Sequence, residues 1–186
     1  MRTLGVPPLL AATLWARGFR EAEDLAQLDP PLRPSPIPTL DAAAERIATA
    51  LERGERILVH GDYDADGITG SAVLVLGLRA LGGRVDAFLP NRLTHGYGVH
   101  VDLVPEHAAR ADLFITVDCG IANLAEVAAL RAAGTDVIVT DHHTPGDRLP
   151  DALIVHPRLA PDGVTMQRAA HGVEPTGSGD RKSTRL

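Results

Sequence analysis

The amino-acid sequence predicts an α/β fold: a parallel sheet of about five strands with helices on both faces, preceded by a short helical N-terminal segment. Two observations lead to this prediction. Short, uninterrupted aliphatic runs alternate with helical segments, which is typical of a parallel sheet buried on both faces. Aromatic residues make up only 3% of the 186 residues, so small and aliphatic side chains must fill the core.

Residues 1–38 are predicted to form a helical lead-in and a proline-rich linker. Apolar positions indicate two short helices between residues 7 and 28, interrupted near Gly18. Five prolines among residues 29–38 exclude the interior of a helix or sheet there. A helical pattern returns over residues 41–53, with apolar side chains on one face and a glycine directly after it.

The predicted sheet and its remaining helices alternate after that point. Helices are expected over residues 68–81 and 122–133, each ending at a glycine. We expect these helices and five strands to form one domain over residues 39–161. The strands are predicted over 56–60, 84–89, 113–117, 136–140 and 152–155. Residues 162–186 have no aliphatic run and contain the only lysine, so we expect a disordered or non-native tail.

Charge and cysteine content narrow the class of protein. The chain has 18 Lys+Arg against 24 Asp+Glu, which argues against duplex binding by charge alone but is compatible with carboxylates that hold metal ions. Cys119 is the only cysteine, so a reducing cytoplasm is expected and the thiol is predicted to be a small buried filler. No apolar run approaches the roughly 18 residues of a membrane span, so neither secretion nor membrane insertion is expected.

Polar clusters directly follow three of the predicted strands. They are His-Gly-Asp-Tyr-Asp-Ala-Asp-Gly at 60–67, Asp-Cys-Gly at 118–120 and Asp-His-His at 141–143. In an open parallel sheet, the ligand site lies outside the carboxyl ends of the strands. We therefore expect these three loops to converge on one edge of the sheet.

The residues of these loops favour a divalent-metal site. Aspartates at alternate positions before a glycine also open an EF-hand calcium loop, but the twelfth position here is a valine instead of a glutamate. His60, Asp64 and Asp66 could direct an imidazole and two carboxylates at one point, a donor set that suits Mn²⁺ or Mg²⁺. Asp118 could bridge two cations and His142 could add an imidazole. Two cations held in this way would polarise a phosphoryl oxygen and generate a hydroxide nucleophile.

Each candidate also has a simpler structural interpretation. An aspartate after a strand commonly caps the next helix, which would account for Asp66 or Asp141 taken alone. We expect three further histidines, His100, His107 and His171, to be solvated or core residues. The joint occurrence of the Asp and His candidates on three loops is what favours metal binding.

Four longer motifs carry a resemblance to a known family. They are His60-Gly-Asp-Tyr-Asp-Ala-Asp-Gly-Ile-Thr-Gly-Ser71, Pro90-Asn-Arg92 with Gly96-Tyr-Gly98, Thr116-Val-Asp-Cys-Gly-Ile121, and Val139-Thr-Asp-His-His143. In this order they resemble the successive motifs of the DHH phosphoesterase superfamily. Within it they are similar to the RecJ type of single-strand-specific DNA exonuclease, and the resemblance covers residues 4 to about 161.

The resemblance implies a site for two ions, Mn²⁺ or Mg²⁺. Asp118 would bridge the ions, and Asp62 is a weaker candidate than its neighbours. The metal ligands implied are His60, Asp64, Asp66, Asp118 and His142.

The resemblance also implies roles for the other motif residues. Asp141 would orient the ligand histidine that follows it. His143 would lie near the scissile phosphate as an acid or transition-state stabiliser. Asn91, Arg92 and Tyr97 would approach the substrate, with Arg92 as a bidentate phosphate contact, for instance to a 5′-phosphate.

The implied activity is metal-dependent 5′→3′ exonucleolytic hydrolysis of phosphodiester bonds in single-stranded DNA, during recombination and repair. A single-stranded DNA-binding protein and a helicase are the implied protein partners. Two alternatives stay open. One is a phosphodiesterase of the same superfamily that acts on oligoribonucleotides, cyclic dinucleotides or pyrophosphate, and the other is a noncatalytic DNA-binding module.

The sequence departs from the family pattern towards its C-terminal end. Relatives carry a further metal-binding aspartate and a second domain with a Gly-Gly-His type motif, and neither is found here. His156-Pro157 stands where Asn-Pro is usual. We therefore expect the phosphoesterase domain to be incomplete on its C-terminal side, with weak metal binding and little cleavage by this chain alone.

Overall fold

The computed structural model describes residues 7–16, 18–20, 24 and 37–159, and the chain divides into two units, residues 1–35 and 36–186. In the first unit, helix α1 (Pro8–Ala16) ends before Gly18, where φ is +89° and the sequence predicted a break. The guanidinium of Arg20 lies 4.1 Å from the ring centroid of Trp15. Most of the second predicted helix and of the linker, and the predicted tail, lie outside the described residues.

The second unit contains a five-stranded, wholly parallel sheet, which confirms the predicted fold class. The strand order across the sheet is β2-β1-β3-β4-β5. Each strand lies within a residue or so of its predicted bounds: β1 (Arg56–Gly61), β2 (Arg84–Phe88), β3 (Leu113–Val117), β4 (Asp136–Thr140) and β5 (Leu153–Val155).

Four helices accompany the sheet. Helices α2 (Leu40–Arg53) and α5 (Leu124–Ala132) lie where the sequence predicted them, whereas α3 (Ala65–Ala80) begins three residues before its predicted start. The fourth helix, α4 (Val104–Arg110), follows a 3₁₀ turn at Val101–Leu103 and was not predicted. Its seven residues are too few to show a clear helical period. None of the helices in the described part of the chain has the length and apolarity of a membrane span.

The helices cover the two faces of the sheet in pairs. Alternate strand residues such as Ile57 and Ile115 are buried with α2 and α3 on one face. The intervening residues, such as Leu58 and Phe114, are buried with α4 and α5 on the other. All four of these strand side chains are 0–1% exposed. This alternation follows from the two-residue period of a strand, and it explains why the strands read as continuous apolar runs.

The order of strands places a switch point between β1 and β3. From β1 the chain passes through α3 to β2 at one edge, and from β3 it passes through α5 to β4 on the other side. The loops after β1 and β3 therefore diverge towards opposite faces. In open parallel sheets, the crevice left at the carboxyl ends of two such strands is the usual ligand site.

Candidate metal centre

The loop after β1 and the first turn of α3 present three aspartates at the switch point. Asp64 is the N-cap of α3, and its Oδ1 accepts hydrogen bonds from the backbone N–H groups of Asp66 (2.9 Å) and Gly67 (3.0 Å). Asp62 is only 3% exposed, and its backbone N–H donates to the carbonyl of Val117 at 3.2 Å, which extends the β1–β3 pairing by one residue. The cap at Asp64 explains why α3 begins earlier than its apolar pattern predicts.

Gly67 allows this loop to fold tightly. A Cβ atom at Gly67 would lie 2.5 Å from the backbone N and 2.6 Å from the carbonyl oxygen of Asp62. Backbone atoms cannot shift to relieve such a clash as easily as the end of a flexible side chain can. The first turn of α3 therefore packs directly on the chain that carries Asp62.

Asp118 lies at the centre of the site, directly after β3. It is 1% exposed and has a φ of +64°, in the left-handed region that few residues other than glycine adopt. Its Oδ1 accepts no hydrogen bond from the described residues. Burial, together with the nearby carboxylates of Asp66 and Asp64, raises the pKa of Asp118 to about 7.

The loop after β4 is organised around Asp141. Its Oδ2 accepts from the backbone N–H of Ile121 (2.9 Å), and its Oδ1 accepts from the backbone N–H groups of His142 (2.7 Å) and His143 (3.0 Å). The Nδ1 of His143 lies 2.8 Å from the same Oδ1. With this many partners, Asp141 is a structural acceptor that fixes the backbone of both histidines and the ring of His143, instead of capping a helix. Burial opposes the charge of His143, but the hydrogen bond to Asp141 and the neighbouring carboxylates raise its pKa overall.

Two groups of side chains could each share a metal ion, and Asp118 belongs to both. One group joins Asp118 to His142 and His143, and the other joins it to Asp62 and Asp64, with the ligand atoms of each group within 4.8 Å of one another. The Nε2 of His142 lies 2.9 Å from the Oδ1 of Asp118. The predicted convergence of three loops is thus present in the structure.

Asp66 lies beside these two groups. Its Oδ2 is 3.8 Å from the Nε2 of His142, and its charge contributes to the raised pKa of Asp118. Asp62, the weaker candidate in the sequence, belongs to one of the two groups, whereas Asp66 belongs to neither.

The three predicted substrate residues lie on the segment between β2 and the 3₁₀ turn. The hydroxyl of Tyr97 lies 2.9 Å from the Nδ1 of His143 and 3.3 Å from the backbone carbonyl of Asp118, so Tyr97 joins the site directly. The Arg92 guanidinium lies 5.3 Å from the ring centroid of Tyr63, in the loop after β1. Asn91 uses its Oδ1 to accept from the N–H of Leu93 within its own loop.

The structure does not bring His60 into either group. Its side chain is fully buried, with Nδ1 3.3 Å from the Nε2 of His107 and Nε2 3.3 Å from the carbonyl oxygen of Gly98. The ring stacks on Phe88 with centroids 5.2 Å apart. His60 is therefore a core residue in this structure, and so is His107, as the sequence predicts. Cys119 is also fully buried, as expected.

The buried pair of His60 and His107 predicts a loss of stability in acid. Burial lowers the pKa of each to about 4, below the 6.5 of an exposed histidine. The folded state therefore binds fewer protons than the unfolded state, so this stability is complete above pH 6.5 and falls as the pH drops towards 4. His107→Phe should flatten the dependence of the unfolding free energy on pH over this window, by up to about 3 kcal/mol. Urea unfolding at several pH values would measure it, and equal slopes for variant and wild type would contradict it.

Sequence reasoning did not single out Asn123 as part of the site region. Its side chain reaches from the loop after β3 to the segment that carries Tyr97, bonding both backbone groups of Val99. Its position directly before α5 suggests a helix cap, so the sequence holds no signal for this long-range contact.

Comparisons with known proteins identify relatives of this chain. The chain is 56% identical over 162 residues to the single-stranded-DNA-specific exonuclease RecJ of Thermus thermophilus, covering 87% of this chain and 24% of that protein. It is 42% identical to the Escherichia coli protein of the same name, covering 83% of this chain and 27% of that protein. The chain thus spans about a quarter of the length of these curated relatives.

Solved structures show the same likeness. The crystal structure of an exonuclease RecJ bound to manganese matches 80% of this chain and 37% of that chain, with a TM-score of 0.72 and 53% identity. A Mn²⁺ complex of RecJ from Thermus thermophilus matches 96% of this chain and 24% of that chain, with a TM-score of 0.67 and 48% identity. The model of the DHH family, N-terminal domain, matches residues 56–184. Because that match takes in more than half of the chain and all three loops that meet at Asp118, the chain belongs to the DHH family.

Proposed function

We propose that this chain is the metal-binding catalytic part of a 5′→3′ exonuclease that hydrolyses phosphodiester bonds in single-stranded DNA. One observation carries the proposal: the buried carboxylate of Asp118 is common to two separate groups of potential metal ligands. A carboxylate common to both groups could hold two neighbouring cations close together, as two-metal hydrolysis needs. Similarity to proteins named as single-stranded-DNA-specific exonucleases supports the choice of substrate.

The donor atoms suit Mn²⁺ or Mg²⁺. Carboxylate oxygens of Asp62, Asp64 and Asp118, together with the imidazole of His142, form a set of hard ligands with one nitrogen donor. The Oδ1 of Asp118 is buried, and its near polar neighbour, the Nε2 of His142 at 2.9 Å, does not form a hydrogen bond of good geometry with it, so this oxygen is available to a cation. His143 belongs to one of the two groups but acts at the phosphate in this proposal, so Asp66, whose Oδ2 lies 3.8 Å from the Nε2 of His142, would complete that group in its place.

Different residues of the chain would have different roles in hydrolysis. When bound, the two ions would polarise the scissile phosphate and supply a hydroxide nucleophile. Asp141 fixes the His143 ring through Nδ1, and this leaves Nε2 as the nitrogen that would offer a proton near the phosphate. In the metal-free chain, the hydrogen bond to Asp141 and the neighbouring carboxylates raise the pKa of His143, which favours the protonated ring. Arg92, held over the ring of Tyr63, would contact a phosphate on the substrate strand, with Asn91 and Tyr97 on the same segment.

Removing the charge of Asp64 tests this proposal while the helix cap is kept. Asp64→Asn retains an oxygen that can accept from the N–H groups that Asp64 caps, but it loses the negative charge that a cation requires. We expect the fold to persist, Mn²⁺ binding measured by calorimetry to weaken at least tenfold, and any hydrolysis to fall with it. Asp102→Asn is the matched control, because the Asp102 side chain is 85% exposed and lies on the 3₁₀ turn.

The hydrolysis assay distinguishes the possible substrates. Single-stranded DNA labelled at its 5′ end, the same strand in a duplex, a short RNA and a cyclic dinucleotide would each be incubated with Mn²⁺ or Mg²⁺ and with a chelator. Release of 5′ nucleotides from single-stranded DNA alone supports the proposal. Preference for RNA or the cyclic dinucleotide would replace it with another phosphodiesterase activity, and DNA binding without any turnover would favour a noncatalytic module.

We also propose domain boundaries, a cellular location and a biological process for the protein. The division at residues 35 and 36 supports a lead-in that is separate from the phosphoesterase domain proposed for 39–161. A lone buried thiol supports a reducing cytoplasm. We propose a setting in recombination and repair, with a single-stranded DNA-binding protein and a helicase as partners, as the resemblance to RecJ-type exonucleases implies.

A further inference from the structure

Asn123 stands at the N-cap of α5, yet its side chain makes no cap hydrogen bond. Asparagine is among the residues that cap helices best, so the side chain of Asn123 must have another role here. Its Oδ1 accepts from the backbone N–H of Val99 at 3.1 Å, and its Nδ2 donates to the carbonyl of Val99 at 3.0 Å and to Glu126 at 3.1 Å. The amide thus pairs with both backbone groups of a residue 24 positions earlier in the chain.

The segment that Asn123 holds is packed closely against it. Val99 is 2% exposed and belongs to the apolar core on the α4 and α5 face. At Gly98, φ is +78°, and a Cβ atom there would lie 2.6 Å from the Oδ1 of Asn123. The backbone at Gly98 and Val99 is therefore fixed by the amide of Asn123 with no room for an extra side chain.

The fixed backbone presents Tyr97 to the site. Tyr97 lies directly before Gly98, and its hydroxyl is 2.9 Å from the Nδ1 of His143 and 3.3 Å from the carbonyl of Asp118. His143 Nδ1 therefore lies between the Tyr97 hydroxyl and the Asp141 carboxylate. If the Tyr97 segment moved, the Nδ1 of His143 would lose one of the two hydrogen-bond partners that it has among the described residues.

We propose that Asn123 is a positioning residue for His143, acting through the backbone of Val99 and the hydroxyl of Tyr97. The inference rests on the proposed function, in which His143 acts at the scissile phosphate. It assigns the side chain of Asn123 to the orientation of the site instead of to the stability of α5.

A serine at this position separates the two roles. Asn123→Ser keeps a good N-cap but is too short to pair with both backbone groups of Val99. If Asn123 only stabilised α5, the serine variant would behave as wild type. The positioning role predicts that Asn123→Ser and Asn123→Ala behave alike. In both, the Val99 amide should lose protection from hydrogen exchange, and the imidazole signals of His143 should shift in NMR spectra of the metal-free chain.

A double-mutant cycle tests whether the effect passes through Tyr97. Tyr97→Phe should shift the same His143 signals, and adding Asn123→Ser to it should shift them little further. In the hydrolysis assay, Asn123→Ser should lower kcat on the order of tenfold while KM for single-stranded DNA stays within about twofold. Glu126→Gln keeps an acceptor for Asn123 Nδ2 and leaves the pairing with Val99 intact, so it should match wild type.

Unchanged His143 signals in Asn123→Ser, or shifts that simply add in the double variant, would overturn the inference. If Asn123→Ala does not fold, Asn123→Ser supplies the answer through the same spectra. A wild-type chain that does not bind Mn²⁺ would refute the proposed function, and the metal-free spectra would still decide the role of Asn123.

Discussion

Asp118→Asn should abolish Mn²⁺ binding and, at the same time, stabilise the metal-free protein. The loss of binding follows because Asp118 belongs to both groups of potential ligands, so one substitution removes a charge from each. Asparagine has nearly the same shape as aspartate, and it tolerates the left-handed backbone at this position, where φ is +64°. The fold should therefore persist while the site is disabled.

The gain in stability follows from the buried charge. Burial and the carboxylates of Asp66 and Asp64 raise the pKa of Asp118 to about 7, whereas an exposed aspartate has a pKa near 3.8. The folded state thus holds a proton that the unfolded state releases between these values, and stability is lost as the pH rises from about 4 to 7. A neutral asparagine avoids this loss. At pH 8 the metal-free variant should be more stable than wild type by about 2–4 kcal/mol.

Calorimetric titration with Mn²⁺ and urea unfolding in the presence of a chelator would measure both effects. The difference in unfolding free energy should be largest at pH 8 and small near pH 4. Asp102→Asn, which removes an exposed carboxylate, should leave binding and stability near those of wild type. Retained Mn²⁺ binding, or a variant less stable than wild type at pH 8, would show that Asp118 does not hold the central position assigned to it.

Gly67→Ala should destabilise the protein by about 3 kcal/mol and weaken metal binding together with it. The new Cβ atom would lie 2.5–2.7 Å from the backbone N, carbonyl oxygen and Cα of Asp62, so either α3 or the loop before it must move. Both carry potential ligands, because Asp62 lies in the loop and Asp64 caps the helix. A shift of either would separate atoms that must share one ion.

The same helix provides a matched control for this substitution. Gly77 also lies within α3, but a Cβ atom there would meet nothing within 4 Å. Gly77→Ala should therefore stabilise the protein by about 0.5–1 kcal/mol, because alanine favours a helix over glycine. Thermal unfolding would show opposite signs for the two variants. If both raised the melting temperature, the close packing of α3 on Asp62 would be disproved.

The sheet could be predicted closely because its signal is local and strong. Each strand is a short aliphatic run bounded by turn residues, and the structure places all five within a residue or so of those runs. Helix α4 was missed because its seven residues are too short to show a period. The start of α3 was placed late because the apolar pattern begins at Ile68, whereas the Asp64 cap sets the first turn.

The candidate site was predictable as a set of loops but not as a set of side-chain directions. Convergence at the switch point follows from topology alone. The direction of His60 follows from the period of β1, in which Leu58 and His60 share one face and Ile57 and Val59 the other, so His60 enters the core below the site. The hydrogen-bond partners of Asp141 and Asn123 join distant parts of the chain, and no local pattern encodes them.

Because Asp118 lies at the switch point, a bound metal would connect parts of the domain that are distant in the sequence. An ion shared by Asp64 and Asp118 would join the first turn of α3, which packs on one face of the sheet, to the end of the central strand. A second ion shared with His142 would extend that connection to the loop after β4. Metal would then act as a non-covalent cross-link between the start of α3 and the ends of β3 and β4. Its binding free energy would add to the resistance of the whole domain to unfolding, in proportion to the logarithm of the metal concentration.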